Sequence, residues 1–184
     1  MRFTSCEAIL EDFFFLRDVI RKLDDDYFSY MTKEDIKEEK ALWIDECKMD
    51  YSFKLLTKIE ANIRLDFNRT FSSKFRDPLS KKYVSLCDAY RQRKHDYAKH
   101  HHKLCQRIPL DEIFQVMVQF FKNSQNRFYV QCSTLKGYFK FCHWYAHGRH
   151  SRITPIVPDP EDLAIIYDNI EMLVLARRQI RHSQ

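Results

Sequence analysis

The stretch ILEDFFFLRDVIRKL, residues 9–23, sets the class of fold. Ile9, Phe13, Leu16 and Ile20 recur at steps of three and four, and Leu10, Phe14, Val19 and Leu23 widen the same line. A period near 3.6 gathers these side chains on one side of a helix, whereas a half-buried strand alternates every second residue. The breadth of the stripe predicts a helix central to the fold. Asp24-Asp25-Asp26 ends the pattern.

The rest of the chain repeats the helical period between recognisable stops and starts. Thr32-Lys33-Glu34-Asp35 reads as a capping box, a hydroxyl and a carboxylate serving the first N–H groups of a new helix. That helix is predicted to run to about residue 70, with a kink near Asp50 and an apolar line of Leu56, Ile59, Ile63 and Phe67. Asp77-Pro78 combines an N-cap carboxylate with proline at the first helical position and predicts a helix over 78–93. Residues 94–107 show no period and read as a basic loop. Pro109 opens another helix, with Asp111 and Glu112 in its first turn and Ile113, Val116, Met117 and Phe120 as its buried face. Asn123–Asn126 is the next break. A helix over 127–147 follows, with Gly148 as its stop. An extended linker over 151–158 leads to a last helix capped by Asp159-Pro160-Glu161-Asp162, with Arg177, Arg178 and Arg181 complementing its C-terminal dipole. The expectation is an all-α bundle of five or six helices forming one domain over 1–184.

Composition narrows the function classes. Hydrophobic residues make up 45% of the 184, which excludes a disordered chain. Two glycines and five prolines are too few for a β-sandwich or barrel. The apolar stretches are short and interrupted by charge, so neither a transmembrane helix nor a membrane partner is expected. Glu7, Glu11 and Asp12 break the N-terminal apolar run, which argues against a secretory signal and for a cytoplasmic protein. The six cysteines, at 6, 47, 87, 105, 132 and 142, form no CxxC pair; that excludes a zinc ribbon or thioredoxin motif and predicts mostly buried thiols. Residues 1–50 carry 8 Lys/Arg against 14 Asp/Glu, and residues 74–107 carry 10 against 3. Such asymmetry permits a polyanionic partner on one face and equally describes two differently solvated surfaces. Phosphate-binding loops, dinucleotide fingerprints and the serine-hydrolase elbow are absent from the sequence.

Four side-chain groupings carry potential chemistry. His143 and His147 are four apart and share a helix face, with His150 three further on. A metalloprotease needs Glu directly after the first His, and Trp144 stands there, so the spacing is read without a metal or cofactor. His100, His101 and His102 with Cys105 lack a second cysteine and read as a solvated loop. Glu60 and Arg64 form an i, i+4 pair beside the apolar line, with Asp66 nearby; they read as a surface ion pair or as support for a cleft. Tyr138, Phe139, Phe141, Trp144 and Tyr145 crowd one helix, as a base-stacking platform does, and as a helix core or dimer interface does more often.

At KFCHWYAHGRH, residues 140–150, the chain resembles the HEPN superfamily of all-α nucleotide-binding domains. The family motif is Arg, then Asn, Asp or His, then three residues, then His. His143 and His147 match its last two fixed positions. The segment is similar to a bacterial group reading roughly YRHWLAHGRYW, and IEANIRLDF (59–67) and DPLSKKY (77–83) resemble that group's EAxFRxDY and DPLS segments. The resemblance covers roughly residues 55–152.

It implies a metal-independent endoribonuclease, a homodimer with the 138–150 helices facing each other, acting on RNA as a toxin or phage-defence effector and restrained by an antitoxin or other inhibitory partner. His147 is then the acid/base group, and His143 orients or assists. The motif Arg falls at Cys142. A thiol has neither positive charge nor a fork of donors, so the resemblance implies a chain disabled at the phosphate-binding position. Arg149 and Lys140 are candidate phosphate contacts, together with Arg64; Glu60 and Asp66 are candidate cleft supports. Cys142 also favours an alternative, a non-catalytic RNA- or nucleotide-binding or protein-interaction module. A plain helical scaffold with a buried histidine pair is the third reading.

Overall fold

The computed structural model describes residues 5–72, 77–94, 107–122, 126–148 and 155–182. These residues form six helices and no strand: α1 (Cys6–Lys22), α2 (Lys33–Ser72), α3 (Pro78–Lys94), α4 (Leu110–Lys122), α5 (Asn126–Ala146) and α6 (Pro160–His182). A 3-10 turn, Asp25–Phe28, joins the first two. The fold is all-α. Among the described residues no helix is long and apolar enough to cross a membrane. Basic segment 95–106 and the break at 123–125 lie outside the described residues, as do 149–154 and the side chains of Arg177, Arg178 and Arg181.

The helix starts follow local chemistry. At α2, the Thr32 hydroxyl accepts from the Asp35 backbone N–H at 3.2 Å, while the Asp35 carboxylate accepts from the Thr32 backbone and hydroxyl. These bonds, the hydroxyl's first, hold the Asp35 carboxyl below its ordinary value. At α3, Asp77 accepts from the Ser80 backbone N–H at 3.1 Å and from its hydroxyl. At α6, Asp159 accepts from the Glu161 N–H at 3.0 Å. Gly148 closes α5 with φ of 75°, a left-handed position that glycine takes without steric cost.

The described residues fall into two compact units. The first contains α1, α2 up to Lys58, the end of α5 from Phe141, and residues 155–167. Its buried residues include Ile9, Phe13, Ile20, Phe28, Tyr51, Leu55, Leu56, Phe141, Leu163 and Ile166. Phe13 meets Tyr51 at 5.7 Å, and the Arg17 guanidinium lies over the Phe14 ring at 4.7 Å while pairing with Glu161. Lys40 donates to the Leu23 carbonyl at 2.6 Å and pairs with Asp25, fixing the 3-10 turn against α2. The Ser52 hydroxyl donates to the Pro158 carbonyl at 2.7 Å and Lys48 pairs with Asp159, which anchors the segment entering α6.

Helix α1 is not central: only Cys6, Ile9, Phe13 and Ile20 are buried, whereas Leu16 and Val19 are 36% and 40% exposed and Phe15 more so. At about 100° per residue the buried four occupy a narrow arc, and Leu16 and Val19 fall to one side of it.

The second unit contains α2 from Ile59, α3, α4, α5 up to Lys140, and α6 from Asp168. Ile59, Ile63 and Phe67 are almost fully buried, and Phe67 meets the Tyr83 ring edge-on at 5.0 Å. The buried face of α4 is Ile113, Phe114, Met117 and Phe121; Val116 and Phe120, expected in that face, are half-buried. Phe114 packs on Phe139 at 5.2 Å. Burial pushes the Cys132 thiol up to about 12, so it stays protonated and inert. Cys6, Cys47, Cys87, Cys132 and Cys142 form no disulfide among the described residues.

Two outcomes follow. The Asp35 carboxyl titrates lower in the folded chain, so its contribution is present above the unfolded value of about 3.9 and is lost as pH falls through the folded value. Asp35→Asn is expected to flatten the acid limb of a stability-versus-pH curve, measured by denaturant unfolding between pH 2 and 6. Gly137 sits in the interior of α5, exposed, with nothing within 4 Å of an added Cβ. Gly137→Ala is expected to stabilise the protein by about 0.5–1 kcal/mol, read in the same assay.

Candidate functional site

The end of α5 is a helix turn with two unlike sides, both within the first unit. Phe141 is fully buried, Cys142 is 9% exposed, and Trp144 and Tyr145 are half-buried. Phe53 of α2 meets Tyr145 at 5.1 Å, and Phe141 meets Tyr145 at 5.6 Å. This aromatic packing fixes the rotation of the last turn about its axis. His143, Ala146 and His147 therefore point to solvent.

The two imidazole rings stack, with centroids 5.2 Å apart and planes 21° apart. The backbone beneath them is intact: the His147 N–H donates to the His143 carbonyl at 3.2 Å, and the Gly148 N–H donates to the Tyr145 carbonyl. The pair is thus a preformed surface feature of two exposed imidazoles, a side chain able to hold or pass a proton. The two histidines are exposed, so the pair is not buried as the plain-scaffold reading expects. Of the aromatic residues Tyr138, Phe139, Phe141, Trp144 and Tyr145, Phe141 is buried and the others half-buried, and Phe139, Phe141, Trp144 and Tyr145 make ring contacts within the fold.

Position 142 belongs to another side of the helix. Five residues from His147 is about 140° around the axis, and Cys142 faces inward while His147 faces out. The structure brings His143 and His147 together and does not bring Cys142 to their surface. Lys140 is exposed on α5 but falls in the second unit, and Arg149 and His150 lie outside the described residues. No three His, Cys, Asp or Glu side chains gather as a metal group among the described residues.

Glu60, Arg64 and Asp66 lie on α2 in the second unit. Arg64 Nε donates to Glu60 Oε1 at 2.7 Å, and Nη1 donates to the Ile108 carbonyl at 3.2 Å. Arg64 thereby ties α2 to the short segment that leads into α4. Asp66 is 3% exposed, and the Thr70 hydroxyl donates to its backbone carbonyl. Sequence spacing finds the Glu60–Arg64 pair but not its third partner, because Ile108 is 44 residues away and contributes only a backbone oxygen.

The chain matches no protein-family model, no curated protein and no solved structure.

Arg64→Ala is expected to lower stability by about 1–2 kcal/mol. That is the low end for bonds made by a charged group, because a third of each side chain of the pair stays open to water. Arg64→Lys keeps the charge but not the fork of donors and is expected to recover less than half. Urea unfolding of both variants checks this, and an unchanged midpoint for Arg64→Ala contradicts it.

Proposed function

We propose that this chain is a HEPN-type RNA-acting protein whose working surface is the His143–His147 pair, and that it binds RNA but lacks efficient cleavage because Cys142 replaces the motif Arg. The single observation that carries the reading is the outward, stacked placement of the two histidines that fill the motif's polar and final positions. The family identity itself rests on the three sequence segments at 59–67, 77–83 and 140–150.

In the proposed reaction His147 takes the proton from a ribose 2′-OH. The 2′-oxygen then attacks the adjacent phosphorus, the bond from phosphorus to the 5′-oxygen breaks, and His147 passes its proton to that departing oxygen, giving a 2′,3′-cyclic phosphate end. The oxygens of the pentavalent phosphate gather negative charge, which a guanidinium at position 142, reaching out from its inward side of α5 or supplied by the second protomer, would bind bidentately. Cysteine leaves that charge unmatched, and the loss of one such group costs about 10²–10³ in rate. His143 steadies His147 by stacking. Two protomers, with their 138–150 segments facing, complete the site; Lys140 and Arg149 hold flanking phosphates, and an inhibitory partner restrains the active form in the cytoplasm.

A second reading has its own observation. Cys142 faces inward and is nearly fully buried, a position that a small thiol fills well and a long cation fills at a desolvation cost. That favours a natural non-catalytic module binding RNA or nucleotide, or another protein.

RNA cleavage by the chain as it stands, by Cys142→Arg and by Cys142→Arg/His147→Ala, all with EDTA present and folding checked by circular dichroism, separates the two. The expected result is cleavage by Cys142→Arg alone, at least about 100-fold above the parent and abolished by the His147 change. RNA binding without cleavage by a folded Cys142→Arg protein supports the non-catalytic module. Neither binding nor cleavage by any form overturns the RNA-acting reading.

A further inference from the structure

The stacked imidazoles have a second chemistry that needs neither the family resemblance nor position 142. We propose that His143 and His147 together chelate one divalent transition-metal ion, with copper(II), nickel(II) or zinc(II) as the class of ligand, and that water completes its coordination. Three observations carry this. Both rings are exposed, so an ion reaches them without disturbing the core. They lie 5.2 Å apart, centroid to centroid, with planes within 21°. Two nitrogens bound to one tetrahedral ion at ~2.0–2.1 Å sit roughly 3.3 Å apart, a separation that side-chain rotation alone can reach. The backbone turn between them is already closed by the His147-to-His143 hydrogen bond and ended by Gly148, so little order is lost on binding.

The donor set selects the metal. Imidazole suits copper, nickel and zinc, whereas magnesium and calcium demand oxygen ligands. Among the described residues no third histidine, cysteine or carboxylate gathers with the pair, and two protein ligands hold an exchangeable ion. The ion occupies ring nitrogens that proton transfer also needs, so metal-bound and acid–base states of the pair exclude each other. A chelate across one turn also clips the end of α5 in place. Metal that binds only the folded chain then raises its melting temperature.

Isothermal titration of the full chain with nickel, zinc and copper chlorides tests this, with magnesium chloride as the control. His143→Ala, His147→Ala and the double variant are measured alongside, together with thermal melts. The expected result is one site in the parent, tightest for copper and not seen for magnesium, weakened at least about 10-fold in each single variant; even outer-shell partners of metal ligands typically cost 10–100-fold. The melting temperature is expected to rise with metal in the parent and not in the double variant. The surface position of both residues makes folded variants the expectation, and circular dichroism checks it. Parent-like binding by the double variant would place the metal on other histidines of the chain and overturn the proposal, as would a parent that binds none of the three metals. RNA cleavage does not enter these readouts, so failure here and failure of the RNA-acting reading are separate results.

Discussion

Helix α2 buries an uninterrupted apolar line, and each compact unit builds its core on a part of it. Leu55 and Leu56 serve the first unit; Ile59, Ile63 and Phe67 serve the second. Burying a side chain of this size stabilises by about 1.5–3 kcal/mol, and truncating one to Ala costs about 2–5 kcal/mol. Among the described residues no other helix is as long. The capping bonds at Thr32 and Asp35 fix where α2 begins, and hence which residues of it face inward.

That register reaches the candidate site through Phe53. Its ring packs on Tyr145, and Tyr145 with Phe141 sets the inward side of the last turn of α5. A helix turn with two aromatic residues held inward has no freedom to choose its outward side. His143 and His147 are exposed as a consequence of core packing, and Cys142 is buried for the same reason. The turn that carries the two histidines is thus positioned by the ring contacts of Phe53, Phe141 and Tyr145.

Much of the fold is legible in the sequence because its signals are local. A hydroxyl and carboxylate three residues apart announce α2, Asp77 and Pro78 announce α3, and Gly148 announces the end of α5. The i, i+4 spacing likewise announces the paired histidines. What sequence reasoning misses is long-range. Ser52 meets Pro158 across 106 residues, Arg17 meets Glu161 across 144, and Arg64 meets a backbone oxygen that carries no side-chain signature. The overestimate of α1 has the same origin: hydrophobicity shows which residues of a stripe can be buried, but only the neighbouring helices decide how wide an arc is covered. The inward phase of Cys142 was illegible because it depends on the partner ring at Phe53.

We propose that the outward histidine pair is the surface that meets RNA. Side-chain NMR of the histidines, recorded while a short single-stranded RNA is added to the unmodified chain, tests it most directly. The expected result is a saturable shift of the His143 and His147 resonances, lost when His147 is replaced by Ala. RNA that binds without moving either resonance, or that does not bind at all, would contradict the claim.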